Sequence, residues 1–226
     1  MIMLDILLPK LHREGHKFLT ISLVVTFVLL LFSKFLGLIG LIISIWVFYF
    51  FRDPERFPIK DNNFLLAPAD GMICQIAEDV AGPKELSLEN EKFTKVCVFM
   101  NVFNCHVNRF PIECTVDEVF YKPGEYLNAS LDDASLKNER NLIKITSSLN
   151  DTLVVTQVAG LVARRIISYC KNGEKFEQGQ SYGIIRFGSR VDLLFPKNFR
   201  ILVKKGQTVV GGETLLAGRR TLSVKA

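Results

Sequence analysis

Residues 182–196 read Tyr-Gly-Ile-Ile-Arg-Phe-Gly-Ser-Arg-Val-Asp-Leu-Leu-Phe-Pro. The apolar runs 184–187 and 191–195 have the length and composition of short buried strands. Gly188 and Ser189 stand between the two runs. A glycine followed by a small hydroxyl residue is typical of a sharp turn that presents the hydroxyl. The stretch therefore predicts two buried strands joined by a turn with an exposed serine hydroxyl.

Short apolar runs broken by turn residues continue on both sides of this stretch, from residue 57 onward. They cover residues 72–76, 96–103, 115–121, 142–146, 153–158, 165–169 and 200–203. Long helical periods are scarce, and the polar residues 131–141 suit either a loop or a short helix. Many short strands are typical of a sandwich or a barrel. We therefore predict a mainly β, sandwich- or barrel-like domain over residues 57–226.

The N-terminal block has a different character. Residues 18–32 and 35–51 are almost wholly apolar, and Ser33 and Lys34 separate them. Fifteen residues of helix, at about 1.5 Å per residue, cover about 22 Å of a hydrocarbon core about 30 Å thick. Residues 1–56 are therefore predicted to be a membrane-associating segment with two short apolar α-helices in a hairpin. A buried hairpin of a soluble protein is the alternative.

Charge and cysteine content narrow the function classes. The 226 residues carry a net charge of +5, without a dense basic arm, which argues against nucleic acid as a partner. Basic residues flank both ends of the apolar block, which favours anionic lipid surfaces and places both ends in the cytoplasm. The five cysteines form no C-x-x-C pair, so neither a structural metal site nor thioredoxin-like chemistry is expected.

Three residues are candidates for proton-transfer chemistry. His106 is the one histidine outside the N-terminal block, Asp70 stands in a turn ahead of a strand, and Ser189 carries the hydroxyl described above. Together they supply the residue types of an Asp–His–Ser relay. Most proteins contain these residue types, so a structural histidine and a turn-capping aspartate remain alternatives.

Five segments carry a resemblance to a known family. They are Phe-Phe-Arg-Asp-Pro-Glu-Arg (50–56), Pro-Ala-Asp-Gly (68–71), His-Val-Asn-Arg-Phe-Pro (106–111), Gln-Val-Ala-Gly with Ala-Arg-Arg-Ile (157–160 and 163–166), and Arg-Phe-Gly-Ser-Arg-Val-Asp (186–192). In order and spacing, the whole chain resembles the short bacterial form of phosphatidylserine decarboxylase, a pyruvoyl-dependent family.

The resemblance implies a proenzyme that cuts itself between Gly188 and Ser189, giving a β chain (1–188) and an α chain (189–226). Ser189 would become a covalent pyruvoyl group that forms a Schiff base with phosphatidylserine, and the products would be phosphatidylethanolamine and carbon dioxide. His106 matches the acid/base histidine of decarboxylation, and Asp70 matches the aspartate of the maturation relay. Neither a metal nor pyridoxal phosphate is implied.

The same resemblance implies partners and a location. The partners are phosphatidylserine, membrane lipids and the chain's own two fragments as a heterodimer; whether two heterodimers associate stays open. The location is the bacterial inner membrane, with the catalytic domain on the cytoplasmic side. One departure is visible: Arg109 stands where the longer form has a second histidine, the one assigned to self-cleavage. We expect His106 to serve both steps.

Other functions stay open at this point. A membrane-anchored serine hydrolase could use Ser189, His106 and Asp70, although the chain lacks a Gly-x-Ser-x-Gly elbow. A decarboxylase of a related serine phospholipid and a purely structural membrane-bound β module are further alternatives. Residues 203–215 resemble part of a biotinyl- or lipoyl-type barrel, but no Met-Lys signature of a carrier domain is present.

Overall fold

A computed structural model describes residues 9–125, 137–160, 165–186 and 189–220. Two α-helices come first, α1 (Gly15–Phe32) and α2 (Lys34–Phe50), and a short 3₁₀ helix covers Lys84–Leu86. The strands of the described residues are β1 Phe64–Leu66, β2 Gly71–Ala81, β3 Lys92–Met100, β4 Val107–Arg109, β5 Cys114–Lys122, β6 Arg140–Ser147, β7 Thr152–Ala159, β8 Arg165–Ser168, β9 Lys175–Phe176, β10 Ser181–Arg186, β11 Ser189–Phe195, β12 Phe199–Ile201, β13 Thr208–Val209 and β14 Leu215–Arg219. The prediction of a mainly β protein with an N-terminal helical hairpin is confirmed.

The two helices pack against each other as a hairpin. Ser33 ends α1 in an extended conformation, and its hydroxyl accepts a hydrogen bond from the first turn of α2. The hydroxyls of Thr26 and Ser44 lie 3.0 Å apart across the hairpin. A Cβ at Gly40 would stand 2.8 Å from the Thr26 hydroxyl, so the close approach of the helices requires glycine there.

The hairpin exposes most of its apolar side chains. Helix α1 has a mean hydropathy of 1.9, only 11% of it is buried inside the protein, and it is long and apolar enough to cross a membrane. Helix α2 is shorter by one residue. Exposed apolar surface on this scale is typical of a lipid-facing segment, because a soluble protein would bury it. Helix α1 therefore has the length and composition of a membrane-crossing helix.

One large antiparallel sheet organises the rest of the chain. Its strand order is β13-β2-β3-β11-β7-β6-β5-β9, so β11 lies between β3 and β7 in its interior. Two smaller sheets, β1-β14-β12 and β4-β10-β8, complete the domain. All seven residues of β11 are buried, including Arg190 and Asp192, which form an ion pair with each other.

The prediction for the connection between residues 187 and 191 was partly wrong. Phe187 and Gly188 lie outside the described residues, and so does most of the segment 131–141. The flanking strands β10 and β11 do not pair with each other, because they belong to different sheets. Ser189 is the first residue of β11 and is fully buried. The expected exposed hydroxyl is therefore a hydroxyl in the interior, where the chain enters the central sheet.

Candidate active site

Ser189 lies between two strands of the central sheet. Its backbone is in register with Met100 of β3 on one side and Ala159 of β7 on the other. The Oγ atom is buried and has no hydrogen-bond partner among the described residues. A buried hydroxyl without a partner costs about 1–3 kcal/mol, so such a group calls for a functional explanation.

His106 is buried just before β4. Its ring stacks on Phe50, the last residue of α2, with the ring centres 4.2 Å apart. The Nδ1 atom lies 2.9 Å from the carbonyl oxygen of Asn104. Because a carbonyl only accepts, Nδ1 of the neutral ring carries the hydrogen, and Nε2 is the nitrogen that can take up a proton.

The environment of His106 keeps its imidazole neutral. Burial lowers the pKa of His106 from 6.5 to about 4; the hydrogen bond to Asn104 opposes this shift, and the positive charge of Arg52 adds to it. A neutral imidazole at physiological pH is ready to accept a proton. His106 thus has the protonation state that a base requires.

Asp70 precedes β2, and its carboxylate is bonded to groups other than His106 and Ser189. Its carboxylate accepts hydrogen bonds from Nη2 of Arg56 at 2.9 and 2.8 Å, and from the backbone N–H of Gly211 at 2.8 Å. None of the carboxylate's hydrogen bonds in the described part of the chain reaches His106 or Ser189. Among the described residues, Asp70 therefore belongs to an Asp–Arg pair and not to a hydrogen-bonded Asp–His–Ser chain.

Asp70 and His106 nevertheless share a neighbourhood. Asp70 and Phe50 line the same cavity, and Phe50 is the ring on which the imidazole of His106 stacks. The carboxylate of Asp70 is also close enough to Cys105 to contribute, after burial, to a thiol pKa raised to about 11.

The cavity has a volume of about 850 Å³ and lies at the base of the helical hairpin. Its lining combines aromatic and charged side chains: Trp46, Tyr49, Phe50, Phe57, Phe103, Arg52, Glu55, Arg56 and Asp70. The rings of Phe57 and Phe103 are 78% and 72% exposed. A cavity with apolar walls and a few charged groups is typical of a ligand site, and this one adjoins the apolar helical hairpin.

Arg109, at the position of the second histidine of the longer form, has a structural role. Its guanidinium pairs with the carboxylate of Asp53 and donates to the carbonyl oxygens of Pro54 and Gly179, each at 3.1 Å. These contacts tie the chain after α2 to the β domain. An arginine is permanently protonated and cannot act as a base, so Arg109 does not replace the missing histidine.

A buried chain of amides was not found from the sequence. Asn141 donates to Gln157 at 3.1 Å, Gln157 donates to Asn108 at 2.9 Å, and Asn108 contacts the sulfur of Met100 at 3.7 Å. Met100 is directly opposite Ser189 in the sheet, so their side chains lie on the same face. The three amide side chains, which reach Met100 through Asn108, therefore lie on that face as well. Asn108 and Gln157 stand in two of the quoted segments, but nothing in the sequence links the segments in space.

Comparisons with known proteins agree with this picture. The sequence profile of a family described as phosphatidylserine decarboxylase matches residues 43–217. A protein of Pelagibacter ubique (strain HTCC1062) is 55% identical over 95% of this chain and 99% of its own length. Proteins of Xanthobacter autotrophicus and Ruegeria pomeroyi are 48% and 43% identical over 92% and 96% of this chain, and 89% and 99% of their own. All three are named phosphatidylserine decarboxylase proenzyme.

Proposed function

Because the chain belongs to the phosphatidylserine decarboxylase family and is therefore a carboxy-lyase, we propose that it converts phosphatidylserine to phosphatidylethanolamine and carbon dioxide. The reaction uses a pyruvoyl group made from Ser189 after self-cleavage between Gly188 and Ser189. The observation that supports this most strongly is the buried Oγ of Ser189, which has no hydrogen-bond partner in the described part of the chain.

Self-cleavage starts with the hydroxyl of Ser189. Its Oγ attacks the carbonyl carbon of Gly188, so that a C–O bond forms as the C–N bond breaks and the acyl group moves from nitrogen to oxygen. Nε2 of His106 takes up the hydroxyl proton. Loss of the serine α-proton then expels the β chain as a carboxylate. Hydrolysis of the remaining dehydroalanine releases ammonia and leaves the pyruvoyl group at the start of the α chain.

The surroundings of Ser189 suit an uncharged chain end. Simple hydrolysis would leave a positively charged amino group at this position, between Met100 and Ala159. A charged amino group in a buried, mostly apolar site is costly, whereas a pyruvoyl group carries no charge. When present, this group withdraws electrons from the substrate's α carbon as carbon dioxide leaves.

The other candidate residues take supporting roles in this proposal. His106, held by Phe50 and Asn104, moves protons in both self-cleavage and decarboxylation. Asp70 fixes Arg56 on the cavity wall and contributes to maturation through the charge balance of the site. The serine hydrolase alternative is not favoured, because the relatives are named decarboxylases.

The hairpin explains how a two-chain lipid reaches this site. Residues 1–56 would lie in the bacterial inner membrane and residues 57–226 on its cytoplasmic face, so that the acyl chains stay in the bilayer while the headgroup enters the cavity. The β chain (1–188) and α chain (189–226) remain together as a heterodimer. Strand β11 of the α chain lies between β3 and β7 of the β chain, which supports this association.

The test compares the wild-type protein with Ser189→Ala in phosphatidylserine vesicles. We expect two chains and phosphatidylethanolamine from the wild type, and one uncut chain without product from Ser189→Ala. The exposed Ser148 supplies the control: Ser148→Ala should be cut and active. Phosphatidylethanolamine formation by uncut Ser189→Ala would rule out the proposal.

A further inference from the structure

Within the described ranges, Arg52 has no carboxylate partner, unlike three other arginines around the hairpin and the site. Arg56 is paired with Asp70, Arg109 with Asp53, and Arg186 with Glu14. Arg52 donates only to carbonyl oxygens, to that of Tyr49 at 2.7 Å and to that of Phe103 at 3.2 Å. No carboxylate of the described residues is in ion-pair contact with it, so its positive charge is not neutralised there.

The position of Arg52 links the membrane segment to the reaction site. It follows α2 by two residues and lines the cavity together with Trp46 and Tyr49. Its charge also lowers the pKa of His106, after the larger effect of burial. The guanidinium is therefore close enough to the imidazole to act on it electrostatically.

We propose that Arg52 binds the phosphodiester of the substrate headgroup; this rests on the proposed function. A guanidinium has five N–H donors, and the two carbonyl contacts leave three for a ligand. Its planar fork matches two oxygens of a phosphate. The cavity adjoins the lipid-facing hairpin, which is where the phosphate of a bilayer lipid would lie.

The carboxylate of the substrate is the less suitable partner. An ion pair to the carboxylate would stabilise the group that must lose its charge as carbon dioxide leaves, and would raise the barrier. The charge of the phosphodiester does not change during the reaction. Binding it lowers the energy of the bound substrate and of the transition state equally, so that its loss raises KM without changing kcat.

A purely structural role for Arg52 makes different predictions. Its bond to the Tyr49 carbonyl caps the C-terminus of α2. If capping were its only role, replacing Arg52 would lower thermal stability but would leave the affinities for lipids with and without phosphate equally affected. The experiment must therefore compare ligands as well as variants.

The first test measures initial rates of mature Arg52→Gln and Arg52→Lys with phosphatidylserine in neutral-detergent micelles. We expect KM to rise about 10- to 100-fold in Arg52→Gln, as for the loss of a charge-assisted hydrogen-bond pair, with kcat nearly unchanged and partial rescue by lysine. Lys10→Gln is the control, because Lys10 is exposed just before the hairpin and does not line the cavity; its KM should stay near the wild-type value. An unchanged KM in Arg52→Gln would overturn the proposal.

The second test does not require turnover. Trp46 is the chain's single tryptophan and lines the cavity, so its fluorescence reports on bound lipid. Short-chain phosphatidylethanolamine, which has a phosphodiester but no carboxylate, should bind Arg52→Gln about 10- to 100-fold more weakly than wild type, whereas short-chain diacylglycerol should bind both equally. The inference would be overturned if Arg52→Gln bound both lipids more weakly than wild type by the same factor. It would also be overturned if Arg52→Gln bound both lipids as tightly as wild type. A wild type that makes no phosphatidylethanolamine would instead refute the proposed function.

Discussion

The burial of His106 predicts that the uncleaved protein loses stability as the pH falls below about 6.5. The folded-state pKa of about 4 lies below the unfolded value of 6.5, so the unfolded state binds more protons between these values. The stabilisation is fully present above pH 6.5 and is lost toward pH 4. A difference of about 2.5 pKa units corresponds to about 3 kcal/mol, of which about 2.5 kcal/mol is lost by pH 4.5.

The assay is urea unfolding in neutral detergent at several pH values between about 7.5 and 4.5. The reference is Ser189→Ala, which stays uncut, and the comparison adds His106→Asn to it. Asparagine can still donate to the Asn104 carbonyl but does not titrate. All other groups, including His12, whose pKa burial also lowers, contribute equally to both proteins. The histidine protein should lose about 2.5 kcal/mol more than the asparagine protein by pH 4.5, and parallel curves would refute the reasoning.

Three further predictions concern groups around the site and in the hairpin. Asp70→Asn removes the carboxylate that neutralises Arg56, whose side chain is 12% exposed, so uncut precursor should accumulate on a denaturing gel over time; cleavage at the wild-type rate would exclude a role of Asp70 in maturation. Gln157→Leu interrupts the buried amide chain and should lower the free energy of unfolding by about 2–5 kcal/mol; a loss below about 1 kcal/mol would mean that the neighbouring amides find other partners. Thr26→Val removes the bond to Ser44 and should cost about 0.6 kcal/mol, seen as a small decrease in melting temperature with unchanged activity; loss of activity would contradict a purely structural hairpin contact.

The longer elements could be predicted from sequence because their signals are local. The two apolar runs gave α1 and α2 nearly at their observed bounds, and runs such as 115–121 and 153–158 correspond to β5 and β7. Strands of two or three residues, such as β1 and β13, were missed because so short a segment has no measurable period. The predicted strand 96–103 was displaced toward the C-terminus, since β3 covers Lys92–Met100.

The burial of Ser189 could not be predicted from sequence. A local reading of Gly188 and Ser189 favours a turn between neighbouring strands, whereas β10 and β11 belong to different sheets. This assignment depends on pairing with β3, a strand distant in the chain. The ion pair between Arg56 and Asp70 and the hydrogen bond between Asn108 and Gln157 could not be predicted for the same reason. Each joins residues that are distant in the sequence.

The candidate residues themselves rest on the family's motifs more than on local physics. Asp70 and His106 are ordinary in isolation, and it is the order of the quoted segments that singles them out. The structure shows the environment of each residue. The neutral imidazole of His106 packs on Phe50, and the carboxylate of Asp70 pairs with Arg56 rather than with the imidazole.

The intact mass of the smaller chain tests the central claim most directly. If Ser189 becomes a pyruvoyl group, the mature protein contains a fragment of residues 189–226 that is lighter by one ammonia than the same peptide with an N-terminal serine. That fragment should also resist Edman sequencing. A fragment with the unmodified serine mass, or a single uncut chain in a preparation that decarboxylates phosphatidylserine, would contradict the account.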